Sequence, residues 1–150
     1  MIYLNTNFEL SSTSGKIVSL KDYYGKYLVL YFYPKDNTSG CTLEANEFSI
    51  YYEEFKKLDC EIVGISKDTV KSHERFKEKE NIPYELLADP DRTVHAQFSV
   101  LKNAKMYGKD VIKTIRSTFI FDKEGNLIKE YRDVKAQGHA AEVLEYINAL

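Results

Sequence analysis

The chain has no tryptophan, only three prolines and only two cysteines in 150 residues. The cysteines, Cys41 and Cys60, are separated by nineteen positions without a CxxC and without a histidine at ligand spacing. That excludes a disulfide framework and gives no reason to expect a structural zinc. Long apolar runs are also missing: none approaches the ~18 residues of a membrane span. The start, Met1-Ile2-Tyr3-Leu4-Asn5-Thr6-Asn7, lacks a charged segment followed by an apolar one, so a cytoplasmic protein with no membrane partner is expected. Nor does charge of one sign accumulate. A net charge of −2, with both signs scattered, offers no basic patch for nucleic acid or an anionic lipid surface, and small-molecule chemistry is the better expectation. With 43% hydrophobic content, and no internal repeat or low-complexity linker, residues 1–150 are expected to form one domain with a full core.

One stretch organises the rest. Tyr27-Leu28-Val29-Leu30-Tyr31-Phe32-Tyr33 is an unbroken apolar and aromatic run stopped by Pro34, which fits a strand covered on both faces. A polar loop follows, and then Ala45, Phe48, Tyr52 and Phe55 recur at helical spacing. Cys41 therefore falls in or just before the first turn of a helix over 41–58, where unpaired backbone N–H groups and the positive end of the dipole favour a thiolate. A lone cysteine is ordinarily a small core residue. Position argues otherwise here, with Thr38 three residues upstream and Gly40 permitting close backbone approach.

Along the remainder, Phe8-Glu9-Leu10 and Lys16-Ile17-Val18 flank a polar cluster as a small hairpin. Glu61–Ser66 is a second buried strand, parallel to the first. An amphipathic helix over 69–80 puts Val70, His73 and Phe76 on one side and ends at Ile82-Pro83. Tyr84–Ala88 is expected at a sheet edge, residues 91–98 as a short helix and 99–113 as irregular. Strands 114–121 and 126–131 form a hairpin through Gly125, and a helix over 139–150 closes the chain. The pattern is α/β, a mixed sheet between helices. His73, His95 and His139 have no partners at useful spacing and read as structural or exposed; twelve tyrosines read as packing.

Pro34-Lys35-Asp36-Asn37-Thr38-Ser39-Gly40-Cys41 resembles the peroxiredoxin active-site signature: a Pro, three residues, a Thr, two residues and the peroxidatic Cys. Tyr31-Phe32-Tyr33 and Cys41-Thr42-Leu43-Glu44-Ala45 are similar to the PrxQ, or bacterioferritin comigratory protein, group. So are Arg116-Ser117-Thr118-Phe119-Ile120-Phe121-Asp122 with Gly125, and Val134-Lys135 with Gly138-His139-Ala140. The resemblance covers nearly the whole chain and implies a thioredoxin-like fold. Two positions depart from the group. Ser39 stands where a proline is usual, and Asn46 where many members carry a resolving cysteine.

The implied function is a thiol peroxidase. Cys41 attacks hydrogen peroxide or an organic hydroperoxide, becomes a sulfenic acid, and is recycled by thioredoxin or another dithiol, with no metal or organic cofactor and as a monomer or weak homodimer. An ordinary thiol is ~3% ionised at neutral pH, so full ionisation gains only ~30-fold, roughly 2 kcal/mol. Fixed donors along the S–O–O axis must supply the rest. Thr38 Oγ, the Cys41 N–H and Arg116 are the candidates. If strand 114–121 runs antiparallel to 27–33, its start lies beside the Cys41 loop, which agrees with the resemblance. Glu44 either orients Arg116 or only complements the helix dipole; Pro34 either shields the thiolate or only ends the strand. With Asn46 in place, and Cys60 expected at the far end of the sheet, Cys60 reads as a packing residue and the mechanism as one-cysteine. The alternative class is a peroxide sensor or holdase-like binder with little turnover. A thioredoxin-type reductase is disfavoured because Glu44 occupies its second cysteine position and no proline precedes strand 114–121.

Overall fold

The computed structural model describes residues 6–150; most of the segment examined for a leader, residues 1–5, lies outside them. Among the described residues, nine strands and four α-helices follow in the order β1 (Glu9–Ser12), β2 (Ile17–Ser19), β3 (Tyr27–Phe32), α1 (Ser39–Lys57), β4 (Cys60–Ser66), α2 (Val70–Glu80), β5 (Glu85–Ala88), α3 (Thr93–Gln97), β6 (Leu101–Met106), β7 (Lys109–Thr114), β8 (Ser117–Phe121), β9 (Leu127–Tyr131) and α4 (His139–Asn148). A short 3-10 turn, Leu20–Tyr23, sits between β2 and β3. Seven strands make one mixed sheet in the order β2-β1-β5-β4-β3-β8-β9, and β6 and β7 pair separately.

The apolar run of β3 explains why this strand is central. Its side chains alternate between two cores. Val29, Tyr31 and Tyr33 pack with Cys41, Ala45, Phe48 and Phe55 of α1, Phe76 of α2, and Val143 and Ile147 of α4. Leu28, Leu30 and Phe32 pack on the opposite face with Phe8, Leu20, Val94, Phe98, Phe119 and Phe121. Each large apolar side chain buried this way contributes about 1.5–3 kcal/mol relative to an exposed one. Because both faces are covered, β3 can pair parallel with β4, from Tyr27↔Cys60 to Phe32↔Ile65, with α1 as the crossover. On its other side β8 pairs antiparallel, from Leu28↔Phe121 to Phe32↔Ser117. The β8–β9 turn uses Gly125 at φ 84°, where an added Cβ would also run into the Tyr24 ring.

Three expectations need correction. Strand 84–88 is internal: β5 lies between β4 and β1, because the N-terminal hairpin returns to pair Ser11↔Ala88 and Ser12↔Leu87. The stretch 99–113 is largely the β6–β7 ribbon, with a register from Leu101↔Thr114 to Met106↔Lys109. Thr114 consequently ends β7, and β8 starts only at Ser117. Of the two readings open to the histidines, structural or exposed, His73, His95 and His139 all fall on the buried side.

Candidate active site

The end of β3, the loop 33–38 and the start of α1 position the cysteine. Thr38 is the N-cap residue in extended backbone (φ −86°, ψ 154°), and the first intrahelical bond runs from Thr42 N–H to Thr38 O at 2.9 Å. Cys41 is the third helical residue. Its N–H and those of Ser39 and Gly40 precede that first bond, so the sulfur is carried by the turn that forms the positive end of the helix dipole. The cysteine is 1% exposed, while Asn37, Thr38 and Ser39 beside it are exposed.

Arg116 arrives from the other direction. The antiparallel register that pairs Phe32 with Ser117 sets Arg116, one residue earlier, beside the loop. Its Nη2 donates to Cys41 Sγ at 3.4 Å and its Nη1 to Glu44 Oε1 at 2.6 Å, so one guanidinium bridges thiol and carboxylate. Gly40 makes room for this: a Cβ there would lie 3.2 Å from Arg116 Nη2. Glu44, one turn beyond Cys41, is fully buried, and its Oε2 has no hydrogen-bond partner. Burial pushes its carboxyl up to about 7, with Arg116 pulling the other way. Burial likewise opposes the Arg116 charge, but negative charge on Glu44 and Cys41 outweighs it and holds the guanidinium above its ordinary pKa. Of the two roles open to Glu44, the geometry is that of an arginine-orienting group.

Thr38 and Pro34 are near the sulfur in sequence, and each has a further contact in this arrangement. The Thr38 hydroxyl donates to Lys35 O at 2.8 Å, so its proton is used inside the loop and its lone pairs remain to accept. Pro34 is half-buried and lines a groove shared with the β6–β7 ribbon. Below the loop lies a network that the sequence did not announce. Asp36, 4% exposed, accepts from Tyr33 OH at 2.6 Å and Ser72 Oγ at 2.8 Å, and lies 2.8 Å from His73 Nδ1. The available signal was His73 on the same helical side as Phe76, which both marks it as buried and demands a polar partner. Asp36, Asp68 and His73 converge as a metal site would, but each Oδ2 already faces two donors: Ser72 Oγ and His73 for Asp36, Ser66 Oγ and the Asp36 N–H for Asp68.

The second cysteine is elsewhere. Cys60 pairs with Tyr27 at the start of β3, whereas Cys41 follows its end, so the length of a six-residue strand, ~20 Å, separates them. Asn46 faces α2, where its Nδ2 donates to Glu80 Oε1 at 3.2 Å. Ser39, the other departure from the PrxQ pattern, is the exposed first residue of α1.

Residues 5–130 match the model of the AhpC/TSA family. The chain belongs to that family. It is 49% identical to peroxiredoxin Bcp of Bacillus subtilis over 139 residues, covering 93% of this chain and 88% of the relative. Among solved structures, a bacterioferritin comigratory protein of Xanthomonas campestris, studied for its alkyl peroxide reduction activity, superposes with a TM-score of 0.90 at 40% identity, covering 95% of this chain and 90% of that one. BcpB of Mycobacterium tuberculosis superposes with a TM-score of 0.86 at 31% identity over 99% and 96%. The peroxiredoxin fold is therefore the expected thioredoxin-like one, and the chain is a thiol-dependent peroxidase, an oxidoreductase. Among the described residues, no helix of this peroxiredoxin is long and apolar enough to cross a membrane.

Proposed function

We propose that Cys41 is the peroxidatic cysteine, that it reduces hydrogen peroxide and organic hydroperoxides, and that it works without an intramolecular resolving cysteine. The observation that carries this is the Arg116 fork, with one arm on Cys41 Sγ and the other on buried Glu44. Cys41 thiolate attacks one peroxide oxygen as the O–O bond breaks. The sulfur gains that oxygen and is oxidised by two electrons to the sulfenic acid, and the departing alkoxide or hydroxide takes a proton and leaves as alcohol or water. Arg116 stabilises the charge moving along S–O–O, held in place beforehand by Glu44. Thr38, its own proton given to Lys35, supplies lone pairs that accept the peroxide O–H. Pro34 borders the loop and keeps water from the sulfur.

Recycling then needs an external dithiol such as thioredoxin: one thiol displaces water from the sulfenic acid, and the second releases Cys41 as thiol and the donor as disulfide. Asn46 at the usual resolving position, and Cys60 across the sheet, support the one-cysteine reading. We infer one catalytic domain, acting as a monomer or weak homodimer, and the two free thiols suit the reducing cytoplasm. The test is turnover with thioredoxin and its reductase. Many peroxides consumed per chain support this reading, and a single cycle would favour the sensor.

A further inference from the structure

The network below the Cys41 loop has no assigned part in the reaction, and its hydrogen bonds constrain its protonation. His73 is wholly buried, with Nε2 2.8 Å from the carbonyl oxygen of Leu87 and Nδ1 2.8 Å from Asp36 Oδ2. A carbonyl oxygen only accepts, so Nε2 carries a hydrogen. Asp36 receives the Tyr33 hydroxyl on Oδ1 and the Ser72 hydroxyl on Oδ2, which favours its ionised form, an acceptor as well. Nδ1 must then carry a hydrogen too. A neutral imidazole has one N–H and would leave either the Leu87 carbonyl without a donor or a bare Nδ1 lone pair facing the Asp36 Oδ2 lone pairs at 2.8 Å. The groups facing the ring come from every element around it: Tyr33 at the end of β3, whose hydroxyl is 3.3 Å from Nδ1, Asp36 in the loop, and the Leu87 carbonyl of β5. Asp68 acts at one remove, taking the Asp36 N–H at 2.8 Å.

We propose that His73 is a positioning residue: a buried imidazolium whose two N–H groups clamp Asp36, and with it the loop carrying Thr38 toward Cys41, onto β5. The proposal rests on Cys41 being the peroxidatic residue. Asp36 is two residues before Thr38, so releasing its carboxylate frees the segment that presents the peroxide acceptor, while Arg116, held from β8, stays beside the sulfur. Misplacement by about 1 Å costs up to ~100-fold in rate. The buried pair His95–Asp89 is a natural contrast. Its Nδ1 lies 2.6 Å from Asp89 Oδ2 but its Nε2 has no hydrogen-bond partner, so no acceptor there calls for a second N–H.

The first test uses the reduced wild-type chain. Nitrogen-15 NMR of labelled histidine at neutral pH should find both His73 nitrogens protonated, with the signal assigned by its loss in His73→Gln; a neutral tautomer overturns the proposal. The second compares His73→Gln with His95→Gln below their melting temperatures. His73→Gln should slow peroxide oxidation of Cys41 on the order of tenfold, while Cys41 alkylation by iodoacetamide keeps its wild-type rate and His95→Gln changes neither. An unchanged peroxide rate in His73→Gln, or an equal fall in both of its rates, contradicts the clamp. Failure of the parent reading would look different: peroxide consumption would persist in Cys41→Ser, with the NMR result untouched.

Discussion

Cys41 and Cys60 are almost equally hidden, 1% and 2% exposed, and both belong to the same apolar core. Their surroundings separate them. Cys41 sits where a helix begins and takes a hydrogen from Arg116, whereas Cys60 begins a strand, and its thiol donates to the Glu61 carbonyl at 3.6 Å. For Cys60 burial pushes the pKa up, the Glu61 charge adds to that, and a backbone hydrogen bond with Val29 only partly opposes it. Burial alone thus says nothing about reactivity. What matters is whether the desolvated sulfur faces donors or acceptors.

The comparison can be broken most severely by Cys41→Ser, which should abolish peroxide consumption while leaving circular dichroism unchanged, since a hydroxyl does not ionise at neutral pH. Retention of a tenth of the activity would defeat the assignment. Arg116→Lys keeps the charge but removes the fork that reaches Cys41 and Glu44 together, and should cost more than about tenfold in peroxide rate. Stopped-flow kinetics at wild-type speed would make Arg116 structural.

A smaller effect concerns pH. Glu44 holds its proton up to about 7 in the folded chain against 4.5 for an ordinary glutamate, so its contribution to stability is largest below pH 4.5. It declines as pH rises through this window and is gone above about 7. Urea unfolding of Glu44→Gln across that range should lack the slope that Glu44 adds in the wild type; identical slopes would refute the burial argument. The least effect belongs to Cys60→Ala, which should leave the peroxide rate at its wild-type value and lower stability by about 1 kcal/mol. A large rate loss there would bring the second thiol into the chemistry.

The same contrast between local and distant partners decides what could be read from the sequence. The β3–loop–α1 unit is legible because its signals are contiguous: an apolar run, Pro34, and helical spacing from Ala45. Arg116 was reachable because an antiparallel neighbour must start where β3 ends. The β6–β7 ribbon escaped notice because both its faces meet solvent, as in Lys102, Asn103 and Lys105, so no alternation marks it. Its turn at Tyr107-Gly108, with φ 53° and 77°, matches a hairpin but puts a tyrosine where asparagine or glycine is usual. β5 was misplaced at the edge because its outer neighbour, β1, is far away in sequence, and the Tyr33–Asp36–His73 network was missed for the same reason.

The most direct test of the account is the fate of the two sulfurs after a single oxidation. Dilute reduced chain receives one equivalent of peroxide without a reductant, and intact mass, dimedone trapping and free thiols are measured. The account predicts one added oxygen, or one dimedone adduct, on Cys41 with Cys60 still alkylatable. A monomer lighter by two hydrogens, with both thiols gone, would contradict it.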